Sequence, residues 1–192
     1  MKLVFATHND HKLKEVQQLL PDHIELLSLK DINCLEEIPE TGDTLEENAQ
    51  IKADYVTQTF GLDCFSDDTG LLVNALNGAP GVYSARYAGE QKNALDNMEK
   101  LLSELKGAAD RSAHFKTVVH LNLKGESYTF DGIVEGQITT KKHGEGGFGY
   151  DPIFKPNGYD HTFGELTSAV KNAISHRGRA IEKLTEFLKK RT

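Results

Sequence analysis

The sequence has few of the residues that build disulfide or zinc scaffolds. It contains two cysteines, Cys34 and Cys64, and no tryptophan among its 192 residues. The two cysteines lie far apart in the chain and neither has a CxxC partner, which argues against a disulfide framework and against a structural zinc site. We interpret both as small buried thiols, and we expect a protein of the reducing cytoplasm.

Long apolar runs are also absent. No segment approaches the roughly 18–20 consecutive apolar residues that a membrane-spanning helix needs. The short apolar run 2–6 is followed at once by polar residues, so it is typical of a first strand rather than of a signal peptide. We therefore expect no membrane partner. Hydrophobic residues make up 38% of the chain and charged residues 27%, which favours one folded domain.

An excess of basic residues is absent as well. The chain has 22 Lys+Arg and 29 Asp+Glu, a net charge of −7, which argues against nucleic-acid binding. The acidity is uneven: residues 1–96 carry 7 basic and 17 acidic side chains, a balance of −10, and the remaining half carries 15 and 12, a balance of +3. Such a split could serve a ligand that needs both a metal and cations. Composition alone favours ordinary surface charge.

Two common nucleotide and hydrolase motifs are missing. The sequence has neither a GxxxxGKS or GxxxxGKT phosphate loop nor a GxSxG nucleophile turn. Residues 144–149 match GxGxxG, but Asp151-Pro152 follow immediately, where a dinucleotide fold requires a helix. We interpret that match as fortuitous. No pair of histidines has convincing zinc spacing.

The hydrophobic pattern predicts a mixed α/β fold, with a sheet flanked by helices. Strands alternate with helices in the first half, and a β-hairpin about Lys124-Gly125 follows in the second. The predicted strands are 2–6, 24–29, 62–67, 70–75, 112–123 and 127–139. The predicted helices are 11–20, 44–60, 91–106, 164–173 and 177–190, and the main loops are 31–43, 77–89 and 141–158.

The predicted helix 44–60 carries a lysine on its apolar face. A capping box, Thr44-x-x-Glu47, opens the helix, and Lys52 falls on the stripe of apolar residues with Asn48 one turn before it. Burying an unpaired ammonium is costly. Lys52 therefore either extends along the apolar surface to solvent or points at an anion or an acid in a cleft.

Two adjacent aspartates lie at the end of a predicted strand. Asp67 and Asp68 precede Gly70, and carboxylate oxygens are the ligands that a hard divalent cation prefers. Neighbouring side chains of a strand point to opposite faces, so one aspartate would ligate and the other would support it. The acidic loop 31–43 could supply a further ligand. Such a pair is a turn or a helix cap about as often as it is a metal site.

Three further segments have features of an anion or nucleobase site. The segment Thr7–Lys12 lies between a strand and a helix N-terminus, a common place for phosphate groups. His176, Arg177 and Arg179 crowd the first turn of the last helix, where the dipole disfavours cations unless an anion is present. Alternatively, they form a solvated basic turn.

Phe148 and Tyr150 in the glycine-rich loop either stack on a base or fill the core.

Taken in order, five segments resemble the inosine triphosphate pyrophosphatase family, the XTP/dITP diphosphatases. They are ATHNDHKLKEV, ETGDTLEENAQIKA, SDDTGLLVNALNGAPGVYSARYAGE, GGFGYDPIF and AISHRGRA, which together run from residue 6 to residue 180. The resemblance implies a single two-lobed α/β domain over 1–192, elongated around a long mixed sheet, with the nucleotide in a cleft between the lobes. It also implies a homodimer.

The resemblance further implies hydrolysis of non-standard purine nucleoside triphosphates (dITP, ITP and XTP) to the monophosphate and pyrophosphate, with Mg²⁺ as cofactor. Glu40 and Asp68 would bind the metal, Asp68 would accept the proton of the attacking water, and Lys12 and Lys52 would face the phosphates. The implied substrate-binding residues are Thr7, His8, Asn9, Asp10, His11, Lys12, Thr69, Phe148, Gly149, Tyr150, Asp151, Lys171, His176 and Arg177.

Two other functions stay open at this point. A Maf-type pyrophosphatase would act on pyrimidine or modified nucleotides, although the segments SHRGRA and FGYD favour the first family. A catalytically silent nucleotide-binding module would bind without turnover. In either case the partner is a nucleotide.

Overall fold

The computed structural model describes residues 1–191, which form a mixed sheet and helices. Within this range there are seven strands: β1 (Lys2–Phe5), β2 (Glu25–Ser28), β3 (Cys64–Val73), β4 (Pro80–Gly81), β5 (Ser112–Leu123), β6 (Glu126–Ile138) and β7 (Phe154–Pro156). The same range contains five α-helices: α1 (Asp10–Leu19), α2 (Leu45–Phe60), α3 (Ala94–Glu104), α4 (Ser168–Ile174) and α5 (His176–Lys189).

The strands pair in the order β2-β1-β3-β5-β6-β7, and β4 adds to β3. β1 is parallel to β2 and to β3, whereas β4 pairs antiparallel with β3 and β7 antiparallel with β6. The predicted mixed α/β fold is therefore confirmed. The two predicted strands 62–67 and 70–75 are one continuous strand, β3, because Gly70 lies within it rather than ending it. β4 and β7, each of three residues or fewer, lie in segments predicted as loops.

The helix ends follow the local signals. The Thr44 side chain accepts from Glu47 N–H while the Glu47 carboxylate accepts from Thr44 N–H, so the predicted capping box is confirmed. α2 ends at Gly61, whose φ of 67° is the left-handed conformation that glycine adopts without strain. α1 begins after Asn9, whose side chain accepts from the N–H groups of His11 and Lys12.

The described residues group into two compact units, each with a core of its own. Unit 1 consists of residues 1–68, 117–132 and 177–191, and unit 2 consists of residues 69–116 and 133–176. In unit 1 the rings of Phe5 and Phe65 stack with their centroids 4.7 Å apart. In unit 2 the ring of Phe115 lies edge-on to Phe154, also at 4.7 Å. Each unit therefore has its own apolar core, which contains packed aromatic rings.

The structure also bears on the cysteines, on membrane-spanning helices and on the GxGxxG segment. Both cysteines are buried free thiols. None of the helices in residues 1–191 is long and apolar enough to cross a bilayer. The glycine-rich loop 144–149 leads into a single turn of 3-10 helix, Asp151–Ile153, and then into β7, so the GxGxxG match has no dinucleotide-binding helix after it.

Candidate active site

Strand β3 places its two aspartates in different surroundings. Successive side chains of a strand alternate between faces, so Asp67 shares the face of Phe65, and Asp68 shares that of Ser66, whose hydroxyl donates to Ala49 O in α2. Asp67 is fully buried and Asp68 is 7% exposed. Two carboxylates that are adjacent in sequence thus serve two different sets of cations.

Asp67 holds Lys12 and Arg177 together. Lys12 Nζ donates to Asp67 Oδ1 at 2.9 Å, and Arg177 Nε donates to Asp67 Oδ2 at 2.9 Å. Burial alone would raise the pKa of Asp67, but the Lys12 ammonium and the Arg177 guanidinium hold that pKa well below its usual range. Burial lowers the pKa of Lys12, although Asp67 opposes the shift. Asp67 is therefore ionised and fixes two elements, α1 and α5, to β3.

The basic first turn of α5 is balanced by the protein's own carboxylates. Arg177 is 1% exposed and also donates from its terminal nitrogen to the Glu15 carboxylate of α1. Arg179, in contrast, is exposed. The expectation that an anion accompanies these cations is met at Arg177 by Asp67 and Glu15. The alternative of a solvated basic turn describes only Arg179.

Lys52 bridges the other two acidic residues. Its Nζ lies 2.6 Å from Glu40 Oε1 and 3.5 Å from Asp68 Oδ1, and the residue is only 7% exposed. Burial would lower the pKa of Lys52, but Asp68 and Glu40 raise it above its ordinary value. Of the two interpretations of this lysine, the structure supports the one in which it points at acids rather than at solvent.

Asp68 combines burial with an unsatisfied oxygen. Its Oδ2 is buried and has no hydrogen-bond partner among the described residues. Burial raises the pKa of Asp68, and the Lys52 and Lys12 ammonium groups oppose the shift. A carboxylate with a raised pKa and a free lone pair is suited to accept a proton.

The Glu40–Asp68 pair fits a magnesium ion that completes its shell elsewhere. Within residues 1–191 no group of three or more His, Cys, Asp or Glu side chains could hold a metal. Mg²⁺, however, is usually bound by one or two carboxylates, with waters and substrate phosphates as its other ligands. The free Asp68 Oδ2 offers one such oxygen.

The segment that precedes α1 is exposed and internally hydrogen-bonded. Asn9 N–H donates to Thr7 Oγ1 at 3.1 Å, and Asn9 Oδ1 accepts from His11 N–H and Lys12 N–H. His8 Nε2 lies 2.8 Å from Glu36 O, and the Asp10 carboxylate pairs loosely with Lys30 at 3.7 Å.

We define the ionic cluster by six charged residues: Lys12, Glu40, Lys52, Asp67, Asp68 and Arg177. Of the segment 7–12, the structure brings only Lys12 into this cluster.

Unit 2 contains a second group, centred on a buried ion pair. Lys171 Nζ donates to Asp151 Oδ2 at 2.6 Å, and the N–H of Phe148 donates to the same oxygen at 2.8 Å. The Lys171 ammonium also lies 4.8 Å from the centroid of the Phe148 ring. A Cβ at Gly147 would lie 2.0 Å from Asp151 Oδ2, so glycine is required for this loop to wrap the carboxylate.

The other predicted residues of unit 2 divide between core and surface. His176 is 4% exposed and stacks on Phe115 with centroids 4.5 Å apart. Tyr150 is also 4% exposed and donates its hydroxyl to Ser84 O at 2.7 Å, so its ring belongs to the core. Phe148, Gly149 and Thr69 are half-buried. Of the two aromatic residues in the loop, Phe148 is the one that solvent and a ligand reach more readily.

Sequence reasoning missed three contributors. Glu15 bonds Arg177 across 162 residues of chain, and Phe115 and Phe163 flank His176. Glu15 is an ordinary helix residue, Phe115 is an ordinary strand residue, and Phe163 lies in a turn. The only available signal was the position of Glu15 one turn after Lys12 on the predicted helix 11–20.

Comparison with known protein families gives a match over almost the whole chain. A model of the Ham1 family matches residues 3–187. The chain belongs to the Ham1 family. This match confirms the resemblance to the inosine triphosphate pyrophosphatases that the sequence motifs indicated.

Relatives and solved structures of the Ham1 family cover the chain almost completely. A protein of Flavobacterium johnsoniae named dITP/XTP pyrophosphatase is 62% identical over 188 residues, 98% of either chain. A Bacillus subtilis protein of the same name is 48% identical and covers 96% of both chains. The solved Staphylococcus aureus Ham1 protein has a TM-score of 0.91 at 39% identity and covers 100% of each chain. Family and fold therefore agree over the full length.

Proposed function

We propose that this protein hydrolyses non-standard purine nucleoside triphosphates, dITP, ITP and XTP, at the bond between the α- and β-phosphates. The observation that carries the proposal is the buried group in which Lys52 joins Glu40 to Asp68, whose Oδ2 has no partner among the described residues. The names of the relatives support the substrate class, since several full-length relatives are named dITP/XTP pyrophosphatase.

The ionic cluster of unit 1 supplies both charges that a triphosphate requires. Lys12 and Lys52 provide cations for the phosphate oxygens. Lys12 lies at the start of α1, and a helix N-terminus is a common place for phosphate groups. Glu40 and Asp68 would hold Mg²⁺, which polarises phosphoryl oxygens when it is bound.

Asp68 is the residue that we assign to proton transfer. The oxygen of a water molecule forms a bond to the α-phosphorus, the bond from that phosphorus to the bridging oxygen breaks, and pyrophosphate leaves with the electron pair. The proton of the water passes to Asp68, whose raised pKa suits this role. Lys52, at 3.5 Å from Asp68 Oδ1, keeps the carboxylate oriented.

The residues of unit 2 are assigned to the base and sugar. The half-buried Phe148 ring offers a face for stacking, and the Lys171–Asp151 pair and His176 supply fixed polar groups. Hypoxanthine presents an acceptor at its 6-oxo position where adenine presents a donor. A fixed backbone N–H donor would pair with the 6-oxo group of hypoxanthine, and its mismatch with the 6-amino group of adenine costs about 1–3 kcal/mol.

A product assay tests the proposed function. The protein is incubated with Mg²⁺ and either dITP or dATP, and the corresponding 2′-deoxynucleoside monophosphate, pyrophosphate and orthophosphate are measured separately. We expect pyrophosphate and the monophosphate from dITP, and a rate on dATP that is lower by about tenfold or more. Release of orthophosphate alone, or equal rates on the two nucleotides, would contradict the proposal.

The same assay separates the alternatives. Faster hydrolysis of a pyrimidine or modified nucleotide than of dITP would favour a Maf-type activity. Binding of dITP without turnover, unchanged in Asp68→Asn, would favour a silent nucleotide-binding module. The intact acid and lysine positions of the ionic cluster support the enzyme.

Two further parts of the proposal concern assembly and location. The resemblance implies a homodimer, which light scattering of the purified protein would test through the molar mass. A substrate drawn from the nucleotide pool is consistent with the cytoplasm as the place of action.

A further inference from the structure

Asn48 of helix α2 is buried beside the ionic cluster, and the function described above does not use it. The residue is 0% exposed. It lies four residues before Lys52, so the two side chains are neighbours on one face of the helix. Asn48 is therefore adjacent to the lysine that joins Glu40 to Asp68.

The amide oxygen of Asn48 holds the segment that carries Glu40. Gly42 N–H donates to Asn48 Oδ1 at 2.8 Å. A Cβ at Gly42 would lie 2.6 Å from Glu47 Cβ and 2.9 Å from Asn48 Oδ1, so the segment packs against α2 too closely for a side chain. Asn48 thus fixes the backbone two residues after Glu40.

The same hydrogen bond fixes the orientation of the amide. Only the oxygen of the Asn48 amide can accept from Gly42 N–H, so the oxygen faces Gly42 and the nitrogen, Nδ2, does not. Asn48 Nδ2 is buried and has no hydrogen-bond partner among the described residues. A buried donor without an acceptor is costly, which indicates that its acceptor comes from a molecule bound at the site.

An unpaired acceptor flanks the same lysine. Asp68 Oδ2 is buried and unpartnered within the described residues, and Asp68 Oδ1 faces Lys52. A water molecule can accept from an amide N–H and donate to a carboxylate at the same time. Asn48 Nδ2 and Asp68 Oδ2 are the complementary pair that such a water requires.

We propose that Asn48 is a positioning residue for the hydrolysis assigned above, a role that rests on that proposed function. Through Oδ1 it holds the Glu40 segment in place for the metal, and through Nδ2 it donates to the attacking water, whose proton Asp68 accepts. The water is thereby oriented by two residues, of which only Asp68 takes part in proton transfer.

Three variants separate these two contributions. Asn48→Leu has nearly the same shape and loses both polar atoms. Asn48→Asp keeps an oxygen for Gly42 N–H and replaces the donor by an acceptor. Asn122→Leu is the matched control, because Asn122 is also buried and also bonds α2, through Asp54 Oδ1 at 2.7 Å, but it lies outside the ionic cluster.

The measurements are kcat and KM for dITP with Mg²⁺, Mn²⁺ binding to the nucleotide-free protein by electron paramagnetic resonance, and the melting temperature. For Asn48→Leu we expect kcat to be about tenfold lower and Mn²⁺ binding about tenfold weaker. For Asn48→Asp we expect Mn²⁺ binding at least as tight as in the wild type, with kcat about tenfold lower and KM within about threefold. Asn122→Leu should lower the melting temperature and leave the other values unchanged.

Wild-type kcat in Asn48→Asp would overturn the role of Nδ2, and wild-type Mn²⁺ binding in Asn48→Leu would overturn the role of Oδ1. If Asn48→Leu does not fold, Gly42→Ala tests the Oδ1 role in its place, because the added Cβ displaces the same segment. If the wild type itself releases no pyrophosphate from dITP, the proposed function is wrong, and Mn²⁺ binding still decides whether Asn48 organises Glu40.

Discussion

At the scale of single residues, the adjacent carboxylates Asp67 and Asp68 have opposite electrostatic situations. Asp67 is ionised between Lys12 and Arg177, with a lowered pKa, whereas burial raises the pKa of Asp68. Neighbouring positions of a strand face different partners, so we assign Asp67 a structural role and propose the proton transfer for Asp68. This difference leads to two predictions with different readouts.

Asp68→Asn should remove activity and preserve the fold. The amide has nearly the same shape but cannot accept a proton from water, so we expect kcat for dITP to fall by about 10²–10⁴-fold. Circular dichroism and the melting temperature should remain close to those of the wild type, since Lys52 keeps its closer partner Glu40 at 2.6 Å and Asp68 Oδ2 makes no hydrogen bond within the described residues. Wild-type turnover would show that another group accepts the proton.

Asp67→Asn should act mainly on stability. The substitution leaves Lys12 and Arg177 buried without their shared anion, and breaking a buried ion pair costs about 3–5 kcal/mol. The free energy of unfolding from urea titration measures this loss.

Asp131→Asn is the control for Asp67→Asn. Asp131 pairs with Lys183 at 3.0 Å on the surface, with both side chains about half exposed. Exposed pairs contribute about 0–1 kcal/mol, so the control should change the free energy of unfolding far less. Equal losses in the two variants would contradict the structural role of Asp67.

At the scale of secondary-structure elements, α2 connects local sequence signals to the site. The capping box at its start and Gly61 at its end determine its length, and the helix carries both Asn48 and Lys52 on its buried face. The loop before it brings Glu40 to the Lys52 ammonium. The stability of the first turn of α2 is therefore coupled to the position of a proposed metal ligand.

Thr44→Ala tests this element. Loss of the cap removes the hydrogen bond from Glu47 N–H to Thr44 Oγ1, which should lower the free energy of unfolding by about 1 kcal/mol. Gln50→Ala, at an exposed position of the same helix, is the matched control and should change it by less than about 0.5 kcal/mol. Chemical denaturation of both variants is the measurement, and an unaffected Thr44→Ala would show that the cap is dispensable.

At the scale of the whole molecule, a buried histidine predicts how stability depends on pH. His120 is 6% exposed, its Nε2 has no partner within the described residues, and its Nδ1 lies 3.3 Å from Thr129 Oγ1. Burial lowers the pKa of His120, and the Asp54 carboxylate opposes the shift. The unfolded chain therefore binds the proton more readily than the folded one.

The free energy of unfolding should decrease as the pH falls from 7 to 5, through the unfolded-state pKa of about 6.5. The contribution of His120 has a limiting slope of about 1.4 kcal/mol per pH unit. Urea titrations at several pH values should show a smaller decrease for His120→Gln than for the wild type. The lowered pKa of Asp67 decreases the free energy of unfolding only in more acidic solution. The raised pKa of Asp68 has the opposite effect, because it increases the free energy of unfolding as the pH falls. Parallel pH profiles for the two proteins would contradict the role of His120.

Local signals in the sequence predicted much of the fold. The capping box, the Lys124-Gly125 hairpin and the first strand depend on hydrogen bonds or apolar periodicity within a few residues, and each is present in the structure. The short strands β4 and β7 were missed because two or three residues are too few to show a period. Their conformation is set by the partner strands.

The candidate site was predictable in its residue types but not in its pairing. A lysine on an apolar stripe and two aspartates in a strand indicated buried ionic chemistry, since burial of such groups needs a partner. Which carboxylate partners which cation depends on contacts such as Arg177–Asp67, 110 residues apart in the chain. Only the tertiary structure decides such contacts, because chain packing, and not sequence spacing, brings the two groups within hydrogen-bonding distance.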